Sequence, residues 1–145
     1  MNTGLRSLCA AACLLAAATP HPALAAGPED ARGLWMSAAE DAVLDFQPCA
    51  DKPGALCGRI VWDKDAGTPK AACGVLVAQL ARYDAEAWRD GWVFDPRDGK
   101  TYKGVLRVKN GELHLRAYVG TELLGQTERL RRVQTLPAAP ACPKP

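Results

Sequence analysis

Ser37 and His114 are the only serine and the only histidine beyond residue 25, so any serine nucleophile with an imidazole base must be built from this pair. Such chemistry needs the two within hydrogen-bond reach. His114 falls opposite Arg107 in the hairpin described below, an exposed cross-strand position, and no hydrolase is expected. One histidine also excludes a histidine-built metal centre. Among the carboxylates, Asp63 and Asp65 with Gly67 share the opening spacing of a calcium loop, but Thr68-Pro69-Lys70 supplies no closing glutamate. Asp95, Asp98 and Gly99 read as turn formers, and Asp45 as the polar face of an alternating strand. Nothing in the spacing sets two acids across one cleft, as a glycosidase requires. The expectation is a protein with no catalytic residues, no cofactor and no metal.

Four cysteines lie beyond residue 25: Cys49, Cys57, Cys73 and Cys142. In an exported chain they imply two disulfides, in one of three connectivities. Cys49 and Cys57 flank the turn-rich stretch Ala50-Asp51-Lys52-Pro53-Gly54 and could face each other across a hairpin, leaving Cys142 to pin the tail to Cys73. No C-x-x-C pair is present, which argues against a four-cysteine zinc site. A second grouping is aromatic and basic: Arg82-Tyr83, Trp88-Arg89 and Trp92-x-Phe94. Tyr83, Trp88, Arg89 and Trp92 could form a contact patch. The plainer reading has Trp88 capping one end of the fold while Trp92 or Phe94 enters the core.

The elements that carry these residues sit behind an export signal. Arg6 supplies a positive start, Leu8 to Ala18 is an apolar run too short to span a bilayer, and Ala23-Leu24-Ala25 fits a small-x-small cleavage site. Residues 1–25 are therefore expected to leave by cleavage near Ala25-Ala26, giving a periplasmic or secreted protein. Residues 26–136 form one domain, and 137–145 an Ala/Pro-rich tail. The 18 Lys and Arg lose only Arg6 while all 16 acids remain, a net charge of +1 that argues against nucleic acid or an anionic membrane surface as partner. No segment reaches the roughly 20 apolar residues of a membrane helix.

Asn110-Gly111 supplies the two φ > 0 positions of a tight hairpin turn, and counting outward fixes the register. Val108 then faces Leu113, Leu106 faces Leu115, Gly104 faces Ala117 and Tyr102 faces Val119 on an apolar side. Lys109–Glu112, Arg107–His114, Val105–Arg116 and Lys103–Tyr118 make the other side, as a half-buried antiparallel sheet requires. Further strands are expected at 33–36, 43–47, 56–62, 75–80, 92–95 and 126–133, with a short helix or loop at 85–89. The register of the hairpin through Asp95-Pro96-Arg97-Asp98-Gly99-Lys100 stays ambiguous by one residue. Eight short antiparallel strands can close on themselves and remove both sheet edges. The expected fold is all-β, an eight-stranded antiparallel up-and-down barrel, with a two-sheet sandwich as the other arrangement of the same strands.

Four landmarks on these strands carry a resemblance: Gly33-x-Trp35; Leu56-Cys57-Gly58-Arg59-Ile60-Val61; Gly91-x-x-x-Asp95-Pro96-x-x-Gly99-Lys100-x-Tyr102; and Leu113-x-Leu115-Arg116-x-Tyr118-Val119-Gly120. Over about residues 33 to 133 the chain resembles the bacterial family catalogued as domain of unknown function 2147. The resemblance implies an exported lipocalin-like (calycin) barrel and no established activity. It also implies that Gly33 and Trp35 close the barrel floor beneath Arg132 of the last strand, an indole–guanidinium stack. The family's final strand commonly ends Trp-x-Arg, and here that stretch is Leu130-x-Arg132.

An eight-stranded barrel is either packed solid or holds one small ligand. The first expectation is a small apolar molecule held among Phe46 (or Leu44), Ile60, Tyr102, Leu106, Leu115 and Val119. The second is a filled barrel acting as a protein-interaction or envelope-stability module through the patch at Tyr83, Trp88, Arg89 and Trp92, with an envelope protein as partner.

Overall fold

The computed structural model describes residues 25–143, so the export signal expected over 1–25 lies, but for Ala25, outside the described residues. Nine strands follow one another: β1 (Gly33–Met36), β2 (Ala42–Pro48), β3 (Leu56–Asp63), β4 (Leu76–Leu80), β5 (Arg82–Asp84), β6 (Ala87–Asp95), β7 (Lys100–Lys109), β8 (Glu112–Tyr118) and β9 (Gln126–Val133). They form one sheet in the order β4-β3-β2-β1-β9-β8-β7-β6-β5, and β4 also pairs with β6. β5 continues the line of β4 past Ala81, and both lie along β6, through Ala78↔Val93 and Arg82↔Arg89. The ring is thus the eight-stranded antiparallel barrel expected from the strand pattern. With β4 and β5 taken as one stave, every strand pairs with its sequence neighbour, and β1 closes the ring against β9. The sandwich arrangement is excluded by that closure.

Turn chemistry explains the tight corners. Asn110 and Gly111 hold φ 52° and 78°, and the pairs Val108↔Leu113, Leu106↔Leu115 and Gly104↔Ala117 follow in the expected register. The β5–β6 corner makes the same turn with poor turn residues: Ala85 and Glu86 stand at φ 47° and 57°. Residues 85–89, read from sequence as a helix or loop, are this turn and the start of β6, and among the described residues helical geometry is confined to one-turn 3-10 segments at Pro28–Ala31 and Glu122–Leu124. In the β6–β7 hairpin Val93 pairs with Tyr102 and is buried, which resolves the one-residue ambiguity.

The core is one cluster inside the ring, from Trp35 and Phe46 through Leu80 and Leu106 to Leu115 and Leu130. Gly58 on β3 leaves room for the Phe46 ring of β2; a Cβ there would lie 2.5 Å from it. A register shift between Val43 and Leu44 puts both residues in buried positions, Leu44 in the main cluster and Val43 with Met36 and Trp62 in a second, smaller one. The chain after Val133, which packs on that second cluster, is tied back at Cys142, bonded to Cys73 beyond β3. The other bridge joins Cys49 to Cys57 across the β2–β3 corner. Both pairings are those the cysteine spacing suggested.

Candidate functional site

One end of the barrel is plugged by the segment 26–32, a stretch whose sequence reads only as a polar lead-in. Trp35 is fully buried, and its indole N–H donates to the Ala31 carbonyl at 2.9 Å. The Arg132 guanidinium lies 4.1 Å from the Trp35 ring centroid and donates to the carbonyls of Arg32 (2.8 Å) and Asp30. Gly33, at φ +105°, lets the strand start beneath this arginine; a Cβ would stand 3.1 Å from Nη1. Trp88 donates to the Pro28 carbonyl at 3.2 Å, Tyr83 to that of Ala26, and the two rings meet edge-on at 5.6 Å. Above the plug, Phe46, Leu56, Leu80, Leu106 and Leu113 fill the lower half of the interior.

The upper half is not filled. A cleft of ≈ 1400 Å³ opens at the far end, with Leu44, Ile60, Val77, Val93, Leu115 and Leu130 forming its apolar wall. That volume includes the mouth and exceeds the few hundred Å³ that suffice for a small ligand. Beside Gly104, where the sequence leaves a gap opposite Ala117, Val93 moves in: a Cβ on Gly104 would lie 2.6 Å from its methyl. Ala117 itself borders the cleft.

The mouth is polar and carried by the β1–β2, β3–β4, β6–β7 and β8–β9 loops. Asp41 accepts the Ser37 hydroxyl proton at 2.6 Å, and Ser37 Oγ accepts the amides of Asp41 and Ala42, so this serine shapes a turn. Asp63, buried, accepts the amides of Asp65 (2.8 Å) and Ala72 (2.6 Å) and ties down the β3–β4 loop, the stretch that shares a calcium-loop spacing. Arg97 forks onto Asp95 through two bonds of 2.9 Å, which holds the Asp95 carboxyl below the usual range. Tyr102 donates to Asp98, and this hydrogen bond to the carboxylate favours the neutral phenol and pushes its pKa up. Glu128 points into the cleft from β9, opposite Leu115 and 3.7 Å from Arg97. Burial is the main cause that pushes its carboxyl up, Arg97 opposes this, and Asp41 and Asp95 add to it. The β8–β9 loop is held by Glu122, which accepts from Arg107 at 2.5 Å; that bond lowers its pKa. The loop leaves Val119, Leu123 and Leu124 exposed at the rim.

Of the six residues assigned from sequence to the binding interior, Ile60, Tyr102 and Leu115 line the cleft. Phe46 and Leu106 belong to the packed lower half. Val119 is 73 % exposed, because β8 ends at Tyr118 and the expected Tyr102–Val119 pair does not form; it borders the mouth rather than facing in. The aromatic patch is not one surface. Trp88 is buried with Tyr83 against the plug, while Trp92 and Phe94 share an outer hollow with Leu76 and Thr101, since Val93 takes the inward phase. Neither Trp92 nor Phe94 therefore enters the core. Arg89 faces outward, 3.6 Å from Glu122. His114 sits on β8 between Arg107 and Arg129, 3.5 Å from Glu112 and on the outward phase with Arg129, while the Ser37 hydroxyl is bonded to Asp41. Sequence reasoning passed over Asp41, Arg97, Val77 and Glu128. Glu128 was within reach: it shares strand phase with Arg132, already placed at the floor.

A family model described as "Uncharacterized protein conserved in bacteria (DUF2147)" matches residues 33–132. The chain is similar in structure to a Helicobacter pylori protein described as "Protein HP1028 from the human pathogen Helicobacter pylori belongs to the lipocalin family", with a TM-score of 0.54 and 16% identity over 72% of this chain and 83% of that one. At that identity the likeness shows a lipocalin-like fold. No curated protein matches the chain.

Proposed function

The chain belongs to the DUF2147 family of bacterial proteins, and we propose that it is an exported, non-enzymatic binding protein holding one small, largely apolar molecule in the open half of its barrel. The observation that carries this reading is the division of the interior. Large side chains and the plug fill one end, and an apolar-walled cleft of ≈ 1400 Å³ stands open at the other. Packed interiors do not leave such space by accident of side-chain size, since voids cost stability. Export to the periplasm or beyond is supported by the two disulfides, which persist in oxidising compartments. A binding role rather than catalysis is supported by the outward phase of His114, by the engagement of Ser37 in its own turn and by the structural duties of the mouth carboxylates. The rival reading, a filled barrel docking through Tyr83–Phe94, loses its surface once Trp88 is spent on the plug.

None of the four tryptophans borders the cleft, so intrinsic fluorescence is a poor reporter. The neutral dye N-phenyl-1-naphthylamine serves instead. Its emission should rise saturably on the folded protein and fall on displacement by fatty-acid, retinoid or quinone-type molecules. A flat response to dye and to the whole panel would end the binding reading.

A further inference from the structure

Resting on that reading, we propose that the cleft selects an amphiphile with a positively charged head, an amine or quaternary ammonium on an apolar body, over one with a carboxylate head. The cleft has a sharp polarity gradient. Its deep wall, with Leu44, Ile60, Val77 and Leu130, is hydrocarbon, and the charged groups bordering it run from Glu128, at the level of Leu115, out to the mouth. A ligand lying in this space buries its apolar body below and leaves its head among the mouth side chains.

The charges at that level are unequal. Six carboxylates border the cleft (Asp41, Asp63, Asp65, Asp95, Asp98 and Glu128) against Lys70, Arg97 and Arg129, a balance of six minus three, or −3. Much of both sets is already engaged, which leaves Glu128 as the carboxylate that faces the cleft. Arg97 is committed to Asp95 by its two-bond fork. Arg129 pairs across the sheet with His114 and so stands on the outward phase of β9. Lys70 is exposed on the β3–β4 loop. Of the acids, Asp63 is satisfied by two amides, but Glu128 faces the cleft with only Arg97 near it, at 3.7 Å. Glu128 is thus a partly buried carboxylate held in unfavourable surroundings, with Asp41 and Asp95 adding repulsion. A cationic head relieves that repulsion and recovers the lost hydration, whereas a carboxylate head compounds it.

The test is a matched C12 series (dodecyltrimethylammonium, dodecanol and dodecanoate) displacing N-phenyl-1-naphthylamine from the folded protein at neutral pH, below the onset of micelles. The ammonium should displace at a concentration about tenfold lower than dodecanoate, with dodecanol between them, and added salt should narrow the gap. Glu128→Gln should bring the ammonium and carboxylate closer together, each read relative to dodecanol on the same variant. Asp41→Asn does the same through a second residue, with circular dichroism confirming that the Ser37 turn survives. Dodecanoate equal to or tighter than the ammonium overturns the head-group assignment while leaving the binding cleft standing. An ammonium preference unaltered in both variants also overturns it. Failure of the dye and all three chains to bind overturns the cleft reading itself.

Discussion

The guanidinium of Arg132 stands 4.1 Å from the ring centroid of Trp35, and the two residues face each other as a register pair across the β1–β9 seam. The same arginine reaches the carbonyls of Asp30 and Arg32, so one side chain ties the last strand, the first strand and the N-terminal plug together.

Arg132→Ala removes the stack and both carbonyl contacts and should cost about 1–2 kcal/mol, seen as a drop of several degrees in Tm. Arg132→Lys, which keeps charge but not the planar fork, should fall between the two. A wild-type melt for the alanine variant would show that the plug holds without it.

The two disulfides should differ in weight. Their partners are 69 and 8 residues apart in sequence, and loop-closure entropy gives about 4 kcal/mol for Cys73–Cys142 and about 2.5 kcal/mol for Cys49–Cys57. Urea unfolding of the two double-serine variants should therefore show the larger loss for Cys73→Ser/Cys142→Ser. The reverse order would mean that the tail adds little beyond its tether.

Glu128 should make stability fall with rising pH. Its folded-state pKa lies above the unfolded value, chiefly through burial, so the folded chain binds its proton more tightly. That contribution is complete below the unfolded pKa of about 4.3 and is lost as pH climbs through the folded value. Glu128→Gln should melt about 2 °C above wild type at neutral pH, a small gain because 37 % of the side chain still meets solvent. The gap should close near pH 4. A constant gap across the range would assign the effect to something other than ionisation.

Ala117→Phe should fill the cleft without touching the packed half. Dye affinity is expected to fall about tenfold or more, with stability changed by less than about 1 kcal/mol because the new ring enters open space. Undiminished dye binding in a folded Ala117→Phe protein would place the dye elsewhere.

What sequence could reveal here followed the strength of local signals. Asn110-Gly111 forces its turn by backbone conformation alone, and the register of β7 against β8 followed from it as far as Lys103 and Tyr118. Ala85-Glu86 adopts the same backbone with no such preference; the turn is imposed by the long β6 that lies along both β4 and β5, a tertiary cause invisible in two residues. The bulge at Val43/Leu44 is similar, since it arises where β2 and β3 must keep pace around the ring. The plug could not be read from 26–32, because its own backbone carbonyls, rather than its side chains, are what Trp35, Trp88, Tyr83 and Arg132 bind. The cleft was legible in its middle layer (Ile60, Leu115) and misjudged at its edges. Strand alternation tells which way a residue points but not how deep along the axis it lies.

A ring sealed by its first and last staves has no stable half-way form. Until Arg131 to Val133 have been synthesised, Leu34 to Met36 lack the neighbour that covers them, and every shorter chain carries two raw margins of unpaired amides and carbonyls. Synthesis must therefore reach β9 before the ring can settle, and any earlier stop leaves a sticky fragment.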